Sequence, residues 1–464
     1  MQFMLKVMVR WATPLAMFVA LTACGGGGGG GGSGASPIAS LTASQSSITL
    51  GSSVILTPTF RVGSASLSPN PATTPVVSGV GISVSPEITT AYQLTVTYTD
   101  PNTQRVVTST VSTTITVTEP TDKFISAGKL TGTRSGAAYA VLTNDIPSVL
   151  ACGGQSSSII TLNTCEIFEP VSQAWTLTGP MKAARRGHTM TELPNGKVLV
   201  VGGTDGKTLL TTAELYDATT RLWTAVTGVL ARGRANHTAT LLRDGTVLIA
   251  GGDAATGDGK TSEIFDPSTG LFTATAGTMV QARVGHTATR LSDGLVLVTG
   301  KNPAPTFETQ ARTTEIYDPS TGLWSAGSAM ISNRYSHAAT LLSNGNVLVT
   351  GGFGDGTNSR SAEIYDPFRR VWATTTGMQT ARALHTATLL PDGRVLVIGG
   401  YHSSSSIASS EIANPEATSW TYTLSLKQAR AGHSAVRLPN NKVLVFGAYA
   451  DSGNFFNTSE IFWE

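Results

Sequence analysis

Apolar and polar residues alternate in short runs along most of the chain, and the runs recur in a fixed order. One unit reads His237-Thr-Ala-Thr-Leu-Leu with period two, then Val247-Leu-Ile-Ala before Gly251-Gly252, then Glu263-Ile-Phe-Asp and finally Leu271-Phe. Short alternating runs bounded by Gly, Asn, Asp and Pro predict β-strands joined by tight turns. Each unit therefore predicts four strands.

The unit occurs seven times, and one arginine marks each copy. The arginines lie 48 to 51 residues apart, at Arg134, Arg185, Arg234, Arg283, Arg334, Arg382 and Arg430. Self-similarity at this period indicates a repeat architecture, because one such unit cannot bury its apolar faces alone. Four-stranded units that pack radially form a β-propeller. Between the first two strands, Asn195-Gly196 and its Asn-Gly or Asp-Gly equivalents predict two-residue hairpins, which need positive φ.

The period and the Gly-Gly, Glu-aromatic and Trp positions resemble the kelch repeat of galactose oxidase-like propellers. The seventh unit reaches Glu464 before its fourth strand, whereas Phe124 precedes Arg134 by ten residues, as Trp324 precedes Arg334. The segment 124–130 is therefore predicted to complete the seventh blade and remove two open sheet edges. The predicted fold is all-β, with a seven-bladed kelch-type β-propeller over residues 120–464.

The first 36 residues carry targeting signals. Lys6 and Arg10 precede an apolar run that ends at Ala23 and is too short for a mature membrane helix, so residues 1–23 are predicted to be a signal peptide. Leu21-Thr-Ala-Cys24 resembles the lipobox of bacterial lipoproteins, which implies acylation of Cys24 and attachment to the outer membrane or cell surface. Residues 24–36 would then be the lipidated cysteine and a glycine-rich tether. An ordinary signal peptide with an incidental Cys24 is the alternative.

Residues 37–119 lack the repeat and show alternating strands broken by Gly, Pro and Asn, which predicts a β-sandwich. This stretch resembles the immunoglobulin-like modules of bacterial surface proteins. The resemblance implies a stalk that holds the propeller away from the membrane, with a hinge at Glu119-Pro120.

Net charge narrows the classes of partner. The sequence has 31 Lys and Arg against 29 Asp and Glu, and two of the basic residues, Lys6 and Arg10, lie in the predicted signal, so 29 of each remain. A neutral chain has no general attraction to nucleic acid, and a monomer without a nucleic-acid partner is expected.

Cys152 and Cys165 fall on neighbouring antiparallel strands, where a disulfide is expected in an oxidising compartment. Two free buried thiols are the alternative.

Six histidines follow the repeat arginine by three residues, at His188, His237, His286, His337, His385 and His433. They could ring a central channel as metal ligands, but a side chain repeated in blade after blade is more economically a scaffold feature that hydrogen-bonds one blade to the next. The repeat glutamates, among them Glu315 and Glu363, equal the arginines in number, which predicts one ion pair per blade or blade junction. No cofactor is predicted.

Variation between blades indicates a binding surface. The loops before the first strand and after the second strand share one face, which we call the variable-loop face. Exposed rings stack on ligands while polar groups fix orientation, so a carbohydrate or protein ligand is expected on this face. The candidate residues are Phe353, Tyr401, His402, Tyr449, Phe455 and Phe456. Solvated loops that contact nothing are the alternative.

The family resemblance adds three arginines to the candidate site. Kelch domains of ubiquitin-ligase adaptors use arginines at corresponding positions to read acidic peptides, which implies an anion-binding role for Arg334, Arg382 and Arg430 at the mouth of the channel. The predicted function is a surface-anchored binding or adhesion module.

The alternative is a secreted carbohydrate-active enzyme, galactose oxidase-like or sugar epimerase-like, that uses the same face. Copper-radical oxidases carry a tyrosine before the corresponding histidine, where this chain has Gly, Asn, Ser or Leu. Kelch-type epimerases have six blades. The sequence contains no nucleophile elbow, zinc-protease motif or phosphate loop, so catalysis is not favoured.

Overall fold

A computed structural model describes residues 39–49, 53–69, 75–86, 89–118, 124–143, 147–254, 259–301, 312–354, 357–448 and 455–463. These residues form strands and turns without a helix, which confirms the all-β class, and within these ranges no helix is long and apolar enough to cross a membrane. The chain divides into two compact units, Met1–Pro120 and Thr121–Glu464. The predicted signal, Cys24, the tether, the hinge at 119–120 and Tyr449 lie outside the described residues.

The first unit has two sheets around one core. Its strands are β1 (Ala39–Ala43), β2 (Ser47–Thr49), β3 (Val54–Phe60), β4 (Ser64–Ser68), β5 (Ile82–Val84), β6 (Thr90–Thr99) and β7 (Val106–Thr118). One sheet has the order β1-β3-β5 and the other β2-β7-β6-β4, in which β2 runs parallel to β7. Alternate residues such as Leu56 of β3 and Leu94 of β6 are fully buried in the shared core. This arrangement is a two-sheet β-sandwich.

The described part of the second unit contains seven four-stranded antiparallel sheets, which we number in chain order. Its first strand is β8 (Phe124–Ala127). Sheet 1 has β9 (Ala138–Leu142), β10 (Ser148–Cys152), β11 (Cys165–Glu169) and β12 (Ala174–Thr178). Sheet 2 has β13 (Thr189–Glu192), β14 (Val198–Val201), β15 (Ala213–Asp217) and β16 (Leu222–Ala225).

Sheets 3 to 5 follow the same order, with short two-stranded ribbons added at the loops. Sheet 3 and its ribbon have β17 (Arg234–Ala235), β18 (Thr238–Leu241), β19 (Val247–Ala250), β20 (Asp253–Ala254), β21 (Ser262–Asp266) and β22 (Leu271–Ala274). Sheet 4 has β23 (Thr287–Arg290), β24 (Val296–Thr299), β25 (Thr314–Asp318) and β26 (Leu323–Ala326). Sheet 5 and its ribbon have β27 (Ala338–Leu341), β28 (Val347–Thr350), β29 (Phe353–Gly354), β30 (Thr357–Asn358), β31 (Ala362–Asp366) and β32 (Val371–Thr375).

The last two sheets complete the series. Sheet 6 and its ribbon have β33 (Thr386–Leu389), β34 (Val395–Ile398), β35 (Tyr401–His402), β36 (Ser405–Ser406), β37 (Ser410–Ala413) and β38 (Trp420–Thr423). Sheet 7 has β39 (Ser434–Arg437), β40 (Val443–Phe446) and β41 (Ser459–Phe462), and takes its fourth strand from β8.

The sheets form a closed ring. The first strand of each sheet contacts the first strands of the sheets before and after it, and that of sheet 7 contacts that of sheet 1. Strand β8 pairs antiparallel with β41, so Phe124 lies opposite Phe462 with ring centroids 5.2 Å apart. The pairing agrees with the prediction that the segment from Phe124 supplies the missing strand. With β8 in place, sheet 7 has four strands like the other six, and the edge of β41 is protected from association with other chains.

The apolar core lies between adjacent sheets. In β14, Val198 and Val200 pack in the cluster formed with sheet 1, whereas Leu199 and Val201 pack in the cluster formed with sheet 3. The second strand is therefore buried on both faces, which explains why its sequence is continuously apolar rather than alternating.

The turns between the first and second strands differ from the prediction. Leu193 N donates to Lys197 O at 2.8 Å and encloses a three-residue loop in which only Gly196 has positive φ, at 75°. A two-residue hairpin would need positive φ at Asn195 as well. Asn195 instead accepts a hydrogen bond from Lys197 N on Oδ1, at 3.1 Å. The two-residue prediction is wrong because this side-chain bond stabilises an Asx turn followed by a glycine bulge.

Candidate binding face

The repeat arginines are buried within their own sheets. Arg334 donates through Nη1 to Gly351 O at 2.7 Å and through Nη2 to Glu363 Oε1 at 2.5 Å. Glu363 also accepts hydrogen bonds from the backbone N of Ile331 and of Ser332, at 2.6 and 2.9 Å. The ion pair thereby fastens the chain entering the first strand to the start of the third strand. The equivalent pairs are Arg134–Glu166, Arg185–Glu214, Arg234–Glu263, Arg283–Glu315, Arg382–Glu411 and Arg430–Glu460.

This burial overturns the expectation that arginines form an anion-binding mouth. Arg334, Arg382 and Arg430 have no exposed surface, and their terminal nitrogens are engaged by carbonyl oxygens and by the glutamate of the same sheet. Burial lowers the pKa of Arg382 and Arg430, and the partner glutamates act in the opposite direction. These guanidinium groups stabilise the ring and cannot reach a ligand outside it.

The repeat histidines bridge neighbouring sheets. Nε2 of His237 lies 2.9 Å from Thr189 Oγ1 of sheet 2, and Nε2 of His286 lies 3.1 Å from Thr238 Oγ1 of sheet 3. His337 and His433 form equivalent bonds to Thr287 and Thr386, whereas His385 bonds to Thr350 on the second strand of the preceding sheet. The hydrogen bond predicted between repeats is therefore present at these junctions.

Among the described residues, the repeat histidines are not clustered as metal ligands would be. Burial and the neighbouring arginines lower the pKa of His237, His286 and His433 to about 3, so these imidazoles are neutral at physiological pH. His188 is buried in the same way, but neither of its ring nitrogens has a hydrogen-bond partner among the described residues, since Ala138 replaces the threonine of sheet 1. No three His, Cys, Asp or Glu side chains in the described ranges lie close enough together to hold a metal ion.

The glycine pair after the second strand lets adjacent sheets meet at the variable-loop face. Gly202 and Gly203 have φ of 60° and 88°. A Cβ on Gly202 would lie 2.6 Å from Arg234 O of sheet 3, so no larger residue fits. Gly203 N donates to that same carbonyl oxygen at 2.8 Å. The pair therefore forms a backbone junction between sheets 2 and 3.

A rim of backbone hydrogen bonds links neighbouring sheets at this face. The residue before each repeat histidine, and its equivalent Gly136, has positive φ. Gly187 N donates to Gly136 O of the preceding sheet at 3.1 Å, and Asn236 N donates to Gly187 O at 2.7 Å. The position is thus selected for backbone conformation, which accounts for the recurrent glycine.

Beside the rim lies a position that the sequence analysis did not single out. In five of the sheets, the residue after the repeat arginine pairs with the first residue after the glycine pair of the same sheet. These pairs are Ser135 with Gln155, Arg186 with Thr204, Ala235 with Asp253, Tyr335 with Phe353 and Ala383 with Tyr401. This position could have been found from the sequence, because its residue type varies between repeats while the arginine before it is the same in all seven.

Three rings from sheets 5 and 6 form what we call the aromatic cluster. Tyr335 and Phe353 have ring centroids 5.3 Å apart, and Phe353 and Tyr401 have centroids 6.4 Å apart. All three side chains are half-buried. His402 lies beside them, with Nδ1 hydrogen-bonded to Ala381 O at 2.8 Å. The structure therefore brings together two predicted aromatics, Phe353 and Tyr401, and adds Tyr335.

The aromatics of sheet 7 have a different setting. The ring of Phe456 lies 5.4 Å from Cζ of buried Arg430, a cation–π contact, and Phe455 is half-buried. No described contact joins either ring to the aromatic cluster. Phe456 therefore covers the outer end of a scaffold ion pair.

Cys152 and Cys165 lie directly opposite each other on β10 and β11 and are joined by a disulfide. Their Cα atoms are 4.2 Å apart, and both residues are fully buried. The disulfide cross-links the second and third strands of sheet 1.

Comparison with known proteins agrees with this architecture. The family model described as the KLHDC2/KLHL20/DRC7 Kelch-repeats domain matches residues 136–352. A solved structure described as a novel fungal alcohol oxidase with catalytic diversity among the AA5 family, in complex with copper, is similar with a TM-score of 0.61. Its sequence is 14% identical, and the similarity covers 74% of this chain and 76% of that chain. No curated protein matches the sequence. Residues 136–352 thus resemble kelch repeats, and the solved structure supports the β-propeller fold.

Proposed function

We propose that this chain is a bacterial lipoprotein in which an immunoglobulin-like domain carries a seven-bladed kelch propeller that binds a carbohydrate or protein ligand on its variable-loop face. The aromatic cluster is the observation that carries the proposal. Half-buried rings held by neighbouring sheets present flat apolar surface beside hydrogen-bonding groups, an arrangement suited to sugars and to peptides.

The face opposite the variable-loop face, which carries the turns between the third and fourth strands, is less suited to selective binding. Its polar groups are used within the turns: Asp318 Oδ1 accepts hydrogen bonds from Ser320 N and Oγ, and Asp266 Oδ1 accepts the same two from Ser268. These hydrogen bonds lower the pKa of both aspartates, which therefore stay ionised inside their turns at neutral pH. The same aspartate turn recurs at Asp217 and Asp366, so this face offers less basis for selectivity.

Binding of the full chain to an array of glycans and cell-wall fragments tests the proposal. Tyr401→Ala is expected to weaken binding about tenfold to a hundredfold, the effect of removing one stacking ring. Phe368→Ala is the matched control, because Phe368 is 95% exposed on the opposite face. Equal loss in both variants, or loss only in Phe368→Ala, would place the ligand elsewhere.

The fold of the fungal oxidase raises a second candidate, a carbohydrate-active enzyme that uses the same face. The repeat histidines do not fit a copper site, because they lie buried between sheets and bond to threonines. An assay for hydrogen peroxide from sugar alcohols after copper supplementation separates the candidates. Peroxide production by the wild type that is lost in Tyr401→Ala would favour the enzyme over the binding module.

A further inference from the structure

A polar cleft lies on the variable-loop face at sheets 1 to 3, separate from the aromatic cluster on sheets 5 and 6. Its volume is about 390 Å³, and it is bounded by the rim positions Gly136 and Gly187. The residues after the repeat arginines, Ser135 and Arg186, line it together with Gln155, which pairs with Ser135. The cleft therefore occupies the variable position beside the rim.

Arg186 places a cationic side chain on one wall of this cleft. Its Nη1 donates to Gln155 Oε1 at 2.5 Å, while its Nε is buried and has no hydrogen-bond partner among the described residues. The adjacent Arg185 is neutralised by Glu214 at 2.9 Å, whereas Arg186 forms no ion pair with any residue that the structure describes. A half-buried guanidinium keeps its charge and offers a planar fork of donors that matches a carboxylate.

The other wall of the cleft supplies acceptors. Asn236 Nδ2 donates to Asp253 Oδ2 at 2.7 Å, which holds the carboxylate in place beside the cleft. The remaining oxygens of Asp253 and Asn236 can accept hydrogen bonds from hydroxyl groups. Leu209 and Ala235 are the apolar side chains in the lining, and they can pack against the carbon face of a sugar ring.

We propose that this cleft binds a uronic acid unit of an acidic polysaccharide, with the sugar carboxylate on Arg186 and sugar hydroxyls on Asp253 and Asn236. The inference rests on the proposed function, since it names a ligand class for the variable-loop face. Acidic and basic residues are nearly balanced in the sequence, at 29 and 31, so preference for an acid would have to arise locally rather than from net charge.

Calorimetric titration of the full chain in detergent with trimers of galacturonic acid and of glucuronic acid, and with their neutral methyl esters, tests this assignment. At least one acid trimer is expected to bind roughly tenfold or more tightly than its ester, the preference expected of one charged hydrogen-bonded pair. Arg186→Gln should remove that preference, and Arg186→Lys should restore part of it. Arg369→Gln, whose side chain is 76% exposed on the opposite face, should bind as the wild type does.

Four results would overturn the proposal: no binding of either acid trimer, equal binding of acid and ester, unchanged preference in Arg186→Gln with an unaltered melting temperature, or equal loss in Arg369→Gln. Binding of a peptide with a free terminal carboxylate at Arg186 without binding of the trimers would overturn the sugar assignment. If array binding depends on Tyr401 but not on Arg186, the proposed function stands and this inference fails. If neither Tyr401→Ala nor Arg186→Gln alters binding of any probe, both the proposed function and the uronic acid inference fail.

Discussion

The Arg334 guanidinium is fully buried, and each of its terminal nitrogens meets an acceptor. Removing two charges from water costs several kcal/mol per ion, and attraction at short range offsets this cost only when the remaining hydrogen bonds are satisfied. The carboxylate of Glu363 meets that condition, because it also accepts two backbone N–H groups. The pair is therefore expected to specify the local geometry of the sheet and to be intolerant of losing one partner.

Arg334→Met should lower the free energy of unfolding of the full chain by about 3–5 kcal/mol, because Glu363 would keep a buried charge without its partner. The double variant Arg334→Met with Glu363→Gln should lose less than the single variant, since it removes both charges. Urea unfolding monitored by tryptophan fluorescence measures both. A single-variant loss under about 1 kcal/mol, the range of an exposed pair, would contradict this account.

The interface histidines link stability to pH. His286 has a pKa of about 3 in the folded chain against 6.5 for an unperturbed histidine, so the unfolded state binds more protons between these values. The contribution of His286 to the free energy of unfolding is therefore complete above about pH 6.5 and is lost as the pH falls toward 3.

His286→Gln should make the free energy of unfolding less sensitive to acid. One fewer proton taken up on unfolding reduces the slope by about 1.4 kcal/mol per pH unit inside the window. Urea unfolding of wild type and variant at several values between pH 7.5 and pH 5 measures the two slopes. Parallel curves would show that His286 is not held neutral in the interface.

At the scale of the elements, the closing strand β8 joins the two ends of the repeat array. Phe124 is fully buried and packs on Phe462, as the paired rings Tyr365 and Trp372 do within sheet 5. A strand brought from the other end of the array costs chain entropy but covers the edge of β41 that would otherwise stay open.

Deleting 121–130 should destabilise the ring by more than the roughly 3–5 kcal/mol that losing one buried phenylalanine costs. The deletion also removes the ladder with β41 and exposes that edge of sheet 7, so association between copies should increase. Thermal unfolding and light scattering measure these effects, with Phe124→Ala as a graded comparison. An unchanged melting temperature after deletion would refute ring closure through β8.

The elements were predictable where the sequence repeats and less so where it varies. The four strands per repeat, the closing strand and the interface histidines follow from residue types that recur in register. The hairpin turns were predicted with the wrong loop length, since Asn-Gly alone does not show that the side chain of Asn195 bonds to Lys197 N.

The candidate site was only partly predictable, because its contacts join residues that are distant in the sequence. Phe353 and Tyr401 were found as loop aromatics, but Tyr335 joins them through a cross-strand pair with Phe353, 18 residues further along the chain. Arg334 was misassigned because sequence spacing locates a side chain along a strand and does not reveal whether it is buried. The partner glutamate, 29 residues away, decides that question.

At the scale of the whole molecule, the proposal needs an anchor that precedes the β-sandwich and the propeller in the sequence. Cys24→Ser should abolish acylation and release the chain from membranes in a Gram-negative host. Fractionation followed by immunoblotting measures the partition, and metabolic labelling with a fatty-acid analogue measures acylation. Equal membrane partition of mutant and wild type would contradict the lipoprotein proposal.

The central claim is that the variable-loop face binds while the repeated residues build the ring, and one paired measurement tests it most directly. Binding to the glycan and cell-wall array and the melting temperature are recorded for Tyr401→Ala and His385→Ala of the full chain. The account predicts that Tyr401→Ala loses array binding with little change in melting temperature, and that His385→Ala melts lower but keeps its binding while folded. Loss of binding or of an enzymatic activity in a stable His385→Ala, with Tyr401→Ala unaffected, would contradict the account.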